Sequence, residues 1–350
     1  MRASLSVLLP VLPAIAACVT GRTPPEPTKL VPVDTSVTFA FGGGDGQCFP
    51  LEKTQNDGLC DLAFSQDVKK AWPLRKVRIA PFAIEEHEVT NFQYEHCVLL
   101  GKCDEPVAFA VGAIQEQYFA NPTYHDYPVL NLSHRMAEQY CAFVGRRLPY
   151  EWEWERVAAG SDPEGKRKYA IAGDRDLREC LGKDGLRVQI VGCNGNDLPA
   201  PVMSNADDLV QEGGQAIYDL TGNVAEYVAG YFREGVTCKE EIPASCDCWA
   251  CTDDNCKGAC YTVCDTCKTA PCFKRCAKYP ICIEHQDGAV PNAHDALFVP
   301  AGTLRLARGG SYHDTAAQTC FAYTTDRTRT VATDESKKST PNGVRCAVDL

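Results

Sequence analysis

Twenty-one cysteines in 350 residues constrain this chain more than any other feature of it. Eleven fall within residues 238–282; the other ten are Cys18, Cys48, Cys60, Cys97, Cys103, Cys141, Cys180, Cys193, Cys320 and Cys346. Their meaning depends on where the chain folds, because thiols pair in oxidising compartments and stay reduced in the cytosol. The opening residues bear on that. "MRASLSVLLPVLPAIAAC" has Arg2 near its start, an apolar run over residues 5–17 and small residues ahead of Cys18. The run is too short to cross a bilayer and reads as the core of a signal peptide, residues 1–17. "IAAC" also matches the bacterial lipobox, which favours a lipidated Cys18 over plain cleavage with Cys18 incidental. Two or more acyl chains anchor a protein stably where one does not. The prolines of "VTGRTPPEPTKLVP" suit an extended tether, so residues 18–38 are expected to link anchor to domain. Val19 in place of Asp is the pattern of a bacterial cell-envelope lipoprotein sent to the outer membrane.

Setting Cys18 aside leaves twenty cysteines, an even number, and disulfides are the default for an exported chain. The clustered group and the dispersed group, eleven and nine, are both odd. Complete pairing therefore needs at least one bond between them. That parity favours Cys320 bonded into the cysteine-rich segment, with a free Cys320 thiol as the alternative. Arg308 and His313 are near enough in sequence to activate such a thiol. Cys97 and Cys103, in "CVLLGKC", are spaced to staple the end of a helix; Cys48 with Cys60, and Cys180 with Cys193, are near one another along the chain. The Cys248-x2-Cys251 and Cys264-x2-Cys267 spacings would suit zinc or an iron–sulfur cluster. They lack a four-ligand repeat, so a disulfide knot is the preferred reading.

A net charge of −11 leaves no basic face for a phosphate backbone, and nucleic acid is not an expected partner. In "KVRIAPFAIEEHEVT" the alternation of Val77, Ile79, Phe82 and Ile84 reads as strand. Thr90 with Gln93 is a capping-box pattern opening a helix that ends by Gly101. A second helix starts near Ser133, with Ala137, Tyr140, Cys141 and Val144 on one face and Gly145 as its stop. "LPYEWEWERVAAG" reads as a third, with Pro149 near its first turn and Gly160 beyond its end. Residues 161–215 are turn-rich, and "LRLARGGSY", "CFAYTT" and "NGVRCAV" are short strand-like pieces.

Five segments occur in a telling order: "FAIEEHEVTNFQY", "AEQYCAFVGRRLPYEWEWERVAAG", "IYDLTGNVAEY", "ARGGSY" and "NGVRCAV". Together they resemble the formylglycine-generating enzyme (sulfatase-modifying factor) family. The resemblance implies one α+β domain of the C-type-lectin-like kind over residues 39–350, with little regular secondary structure. The cysteine-rich stretch, about residues 233–300, then stands as an insertion in a loop between "GNVAEY" and "RGGS". Catalytic members carry cysteines three and eight residues after the Ser of Gly-Gly-Ser, a pair that binds copper(I) and oxidises a substrate cysteine to formylglycine. Ser311 matches that Ser, but Asp314 and Thr319 stand at the two cysteine positions, and Cys320 is one residue late. Asp is a hard donor where copper(I) wants soft sulfur, so copper is not expected. The resemblance also implies a Cys141–Cys346 disulfide. It further implies a structural calcium ion held by the Asp219 and Glu226 side chains and the Gly222 and Val224 carbonyls. The alternative is that Asp219 and Glu226 cap a turn and face solvent.

Other chemistry finds little support. The seven histidines are scattered, and Ser311 with His313 lacks the surroundings of a hydrolase nucleophile. Glu85–Glu86 and Asp207–Asp208 read as solvated surface, and Trp152 and Trp154 as core and groove walls. The expectation is an exported lipoprotein, membrane-attached through its lipid, that binds an exported protein or glycan without catalysis, or serves structurally in the envelope. The alternative is a formylglycine-generating oxidase working through Cys320 and Ser311.

Overall fold

The structure, a computed structural model, describes residues 23–36, 39–41, 75–77, 79–106, 118–161, 166–175, 177, 185–190, 193, 198–231, 305–313, 328–330 and 342–350. The expected signal peptide, Cys18, Cys48, Cys60, Cys180, the cysteine-rich stretch, Asp314, Thr319 and Cys320 lie outside the described residues.

The central three-stranded sheet has the order β1 (Leu30–Val33), β4 (Phe82–Glu85), β11 (Ala347–Asp349), with β4 antiparallel to both neighbours. Ile84 sits opposite Val31 on one side and Ala347 on the other, so the C-terminus is tied into the same layer as the first strand. A four-stranded sheet runs β10 (Asn342–Gly343), β7 (Ala225–Tyr231), β8 (Arg305–Arg308), β9 (Thr328–Thr330). Two further antiparallel pairs among the described residues are β2 (Phe39–Phe41) with β3 (Arg75–Val77) and the hairpin β5 (Leu209–Glu212) with β6 (Gln215–Tyr218).

β1 lies inside the stretch expected to be tether. Val31 and Val33 are buried while Pro32 points out, the alternation of a half-buried strand. A proline is tolerated there because β1 is an edge strand. Preceding residues are also fastened down: the Glu26 carbonyl accepts from Gln93 Nε2 at 3.0 Å, and the Thr28 carbonyl from Arg146 at 2.8 Å. Residues from Glu26 onward are therefore part of the domain, which begins before residue 39.

The three α-helices among the described residues form where local signals place them. In α1 (Asn91–Leu99) the Gln93 amide donates to Thr90 Oγ1 and the Thr90 amide to Gln93 Oε1, a reciprocal cap worth about 1 kcal/mol. In α2 (His134–Phe143) Ser133 caps the Met136 amide at 3.2 Å, and Ala137, Tyr140 and Cys141 are buried. These two helices share a core with Val89, Leu132, Leu148, Tyr227 and Val344. Disulfides join Cys97 to Cys103 at the end of α1 and Cys141 of α2 to Cys346, with Cα separations of 5.3 and 5.5 Å. Cys193 is also disulfide-bonded, so every cysteine among the described residues is oxidised.

α3 (Glu151–Ala159) differs from a surface helix: all nine of its residues are buried, including Glu151, Glu153, Glu155 and Arg156. Each charge is neutralised across the fold. Arg147 grips Glu153 with two 2.7 Å hydrogen bonds, Arg156 grips Glu212 with two of 3.1 Å, and Arg308 reaches Glu151 at 3.0 Å and Glu155. Trp152 and Trp154 are core residues here, as their composition suggests.

Candidate functional site

The motif residues of three segments meet in one place. The turn before β7 and the turn after β8 are zipped together: the Gly222 amide donates to the Gly309 carbonyl, and the Tyr312 amide to the Asn223 carbonyl, both at 2.8 Å. Both turns need glycine. Gly222 and Gly309 have φ of +86° and +100°, and a Cβ on Gly222 would stand 2.7 Å from the Gln189 carbonyl oxygen. Ser311, which follows this turn, is 6% exposed, and Tyr312 behind it packs against Tyr118, Leu130 and Val224.

Below the turns is a buried acidic cluster. Asp208, Asp219, Glu226 and Glu88 are each no more than 1% exposed. Glu88 accepts from Asn223 Nδ2 at 2.6 Å and from the Val224 amide at 3.1 Å, which locks the turn onto the segment before α1. Glu226 receives both Arg345 Nε and Nη2, at 2.9 and 2.7 Å to one oxygen, and its other oxygen accepts from Trp154 Nε1 at 2.7 Å. Arg345 also donates to the Glu85 and Tyr218 carbonyls, at 2.9 and 2.6 Å. Burial pushes the Asp219 carboxyl up to about 6. Burial also drives Glu88 and Asp208 well above the usual carboxylate range, and the charge of Asp219 adds to it in both.

Solvent-facing roles are thereby corrected. Glu85 and Asp208 are fully buried, because Arg146 and the Cys346 amide take the Glu85 carboxylate and the Thr221 amide takes Asp208. Asp219 and Glu226 do not face solvent either. The inherited calcium ligands fare differently from one another. Asp219 and Glu226 are in one cluster, but the carboxylate of Glu226 already has a guanidinium and an indole on its oxygens. A calcium ion there would meet the positive charge of Arg345, so Asp219, Gly222, Val224 and Glu226 as arranged do not fit the ion. Among the described residues, no three His, Cys, Asp or Glu side chains are gathered as a metal centre.

The residues that sequence reasoning missed are Glu88, Arg345 and Trp154 as the partners of this turn. All three belong to the quoted motif segments, which is the one signal the sequence offers for them.

The sulfatase-modifying factor enzyme 1-like domain family matches residues 54–350. The chain belongs to the sulfatase-modifying factor family. Over 271 residues it is 25% identical to the formylglycine-generating enzyme of Bos taurus, covering 64% of this chain and 63% of that one. The match thus spans a little under two thirds of the bovine enzyme's length. The formylglycine-generating enzyme of Thermomonospora curvata is 24% identical over 257 residues, 63% of this chain and 78% of its own. A serine/threonine-protein kinase, Pkn1 of Chlamydia trachomatis, is 24% identical over 59% of this chain and 30% of its own. Among solved structures, that of CarF is 14% identical, with a TM-score of 0.47 over 93% of this chain and 99% of CarF. The fold is the mixed α+β sulfatase-modifying factor arrangement, with short helices, small sheets and long irregular connections.

Proposed function

We propose that this family member works by binding rather than by forming formylglycine, and that it does so at the cell envelope, held by a lipid on Cys18. One observation carries the reading: Asp314 and Thr319 stand three and eight residues after Ser311, where the copper-binding pair of the resemblance requires two thiolates. A carboxylate and a hydroxyl are hard donors and do not replace them. The oxidised state of all described cysteines supports an exported protein, as disulfides persist outside the cytosol. Among the described residues no helix is long and apolar enough to cross a membrane. The ligand class is an exported protein or a glycan, presented to the turns around Ser311 and to the cysteine-rich insertion.

Copper(I) titration of the full-length protein, with an assay on a cysteine-containing sulfatase peptide, tests this. The expected outcome is no tight copper binding and no aldehyde product. Copper-dependent aldehyde formation, lost in Cys320→Ser, would replace the binding reading with the oxidase one. Separately, Cys18→Ser should move the protein from membrane to soluble fractions; retention would refute the lipid anchor.

A further inference from the structure

We propose that the groove beside α1 is the face this domain lays on the bilayer, with Leu99 as its apolar anchor, a reading that rests on the lipid at Cys18. The length of chain ahead of the fastened residues decides which face that is. Glu26 is pinned to α1 by its carbonyl, which accepts from Gln93 Nε2 at 3.0 Å. Eight positions separate Cys18 from Glu26, a reach of about 27 Å when fully extended. A compact domain of this length has a radius of gyration of about 20 Å and is therefore roughly 40 Å or more across. The leash is too short to let the far side turn to the membrane. Only the surface around Glu26 is brought to the headgroups.

That surface carries a groove of about 310 Å³, lined by Pro24 and Pro25 where the chain enters and by Phe92 and Leu99 of α1, with the exposed Pro122 beside them. Its polar lining includes Glu95, which has His125 at 3.4 Å. A lone exposed leucine is ordinary. Leu99, 48% exposed, stands out by how firmly it is held. The Gly101 and Lys102 amides donate to the Val98 and Cys97 carbonyls, at 2.8 and 3.0 Å, and the Cys97–Cys103 disulfide closes the same loop. A rigid apolar tip loses little freedom on docking. Lys102 is exposed on that loop, and a lysine beside an inserted leucine suits the phosphate level of a bilayer interface. The chain's net charge of −11 opposes adsorption to an anionic surface, so the contact has to be apolar and local. It need not be strong. A short leash holds the patch at an effective concentration in the millimolar range, where one buried leucine tips the balance.

The test uses the lipidated full-length protein on phosphatidylethanolamine–phosphatidylglycerol vesicles, with flotation to score attachment and lysine-acylation footprinting to score docking at Lys102. Labelling of Lys102 should be severalfold slower on vesicles than in the Cys18→Ser variant mixed with the same vesicles. Leu99→Asp should still float and keep its melting temperature, but lose about tenfold in docking, as the removal of one buried leucine does. Its Lys102 should then label nearly as fast as in Cys18→Ser. Leu99→Ser serves in its place where the new charge disturbs the helix end. Equal Lys102 labelling in floated wild type and in Cys18→Ser would overturn the docking face and leave the anchor standing. Equal flotation of wild type and Cys18→Ser would overturn the anchor and the docking face together. Shielding that survives the loss of Leu99 would overturn it as well, and shielding that rises with protein density on the vesicle would assign the face to a second copy of the chain instead.

Discussion

Two buried charge networks meet at Trp154, and they are balanced differently. Around α3, three glutamates face three cations: Glu151 has Arg308, Glu153 has Arg147, and Glu155 has both Arg308 and Lys166. Glu212 has Arg156 in the same way. Around Arg345, among the described residues, four carboxylates (Glu88, Asp208, Asp219 and Glu226) share a single guanidinium, and Arg345 forms its ion pair with Glu226 alone. Trp154 belongs to both, donating to Glu226 and lying under the Arg308 guanidinium at 5.3 Å. A paired network makes a scaffold, because each buried charge has its counter-charge at hydrogen-bond distance. An unpaired one stores unfavourable energy that a ligand, an ion or a proton can release.

The sharpest way to break this comparison is to remove one cation from each side. Arg345→Met leaves four buried carboxylates with no guanidinium, and the expected loss is about 5 kcal/mol, at the upper end for an orphaned buried charge. Arg156→Met should cost less, about 3 kcal/mol, because Glu212 keeps the Asp34 amide at 2.9 Å and reaches some solvent. Urea denaturation of both variants decides it; equal losses would mean that the two networks are equivalent.

The next effect is in the pH dependence. Burial pushes the Glu85 carboxyl up from 4.5 to about 7, against the opposing pull of Arg146. A raised carboxyl favours protonation in the folded state, so its contribution is full below about 4.5 and is lost as pH rises through about 7. Stability should therefore fall across that window, by up to about 1.4 kcal/mol per pH unit from this group. Glu85→Gln should flatten the profile when folding free energy is measured at intervals across the window. Parallel profiles for the two proteins would rule this group out as the cause.

The smallest effect is at the rim. Asp349 shares Arg147 with Glu153, but its side chain is 56% exposed. Asp349→Ala should change stability by about 0.5 kcal/mol or less, as a solvated pair does. A loss several times larger would show that the balanced network extends to the C-terminus.

What could be read from the chain alone was whatever is decided within a few residues. Thr90 with Gln93 and Ser133 ahead of Met136 announce their helices because a cap satisfies amides two or three positions away. Cys97 and Cys103 are close because only six positions separate them. The family resemblance carried the Cys141–Cys346 bond, which no spacing rule would have found. β1 escaped notice because prolines dominated the reading of a stretch whose valines alternate inward. The tertiary structure alone decided which charges are buried. Glu226 and Arg345 are 119 residues apart, and Glu88 and Asn223 are 135 apart. Whether an Asp faces water or a guanidinium depends on which distant segment packs over it, and an acidic pair such as Asp207–Asp208 looks the same in sequence either way. The crowding of carboxylates around Arg345 follows from the same cause: packing sets how many cations reach the cluster, and among the described residues only Arg345 forms an ion pair within it.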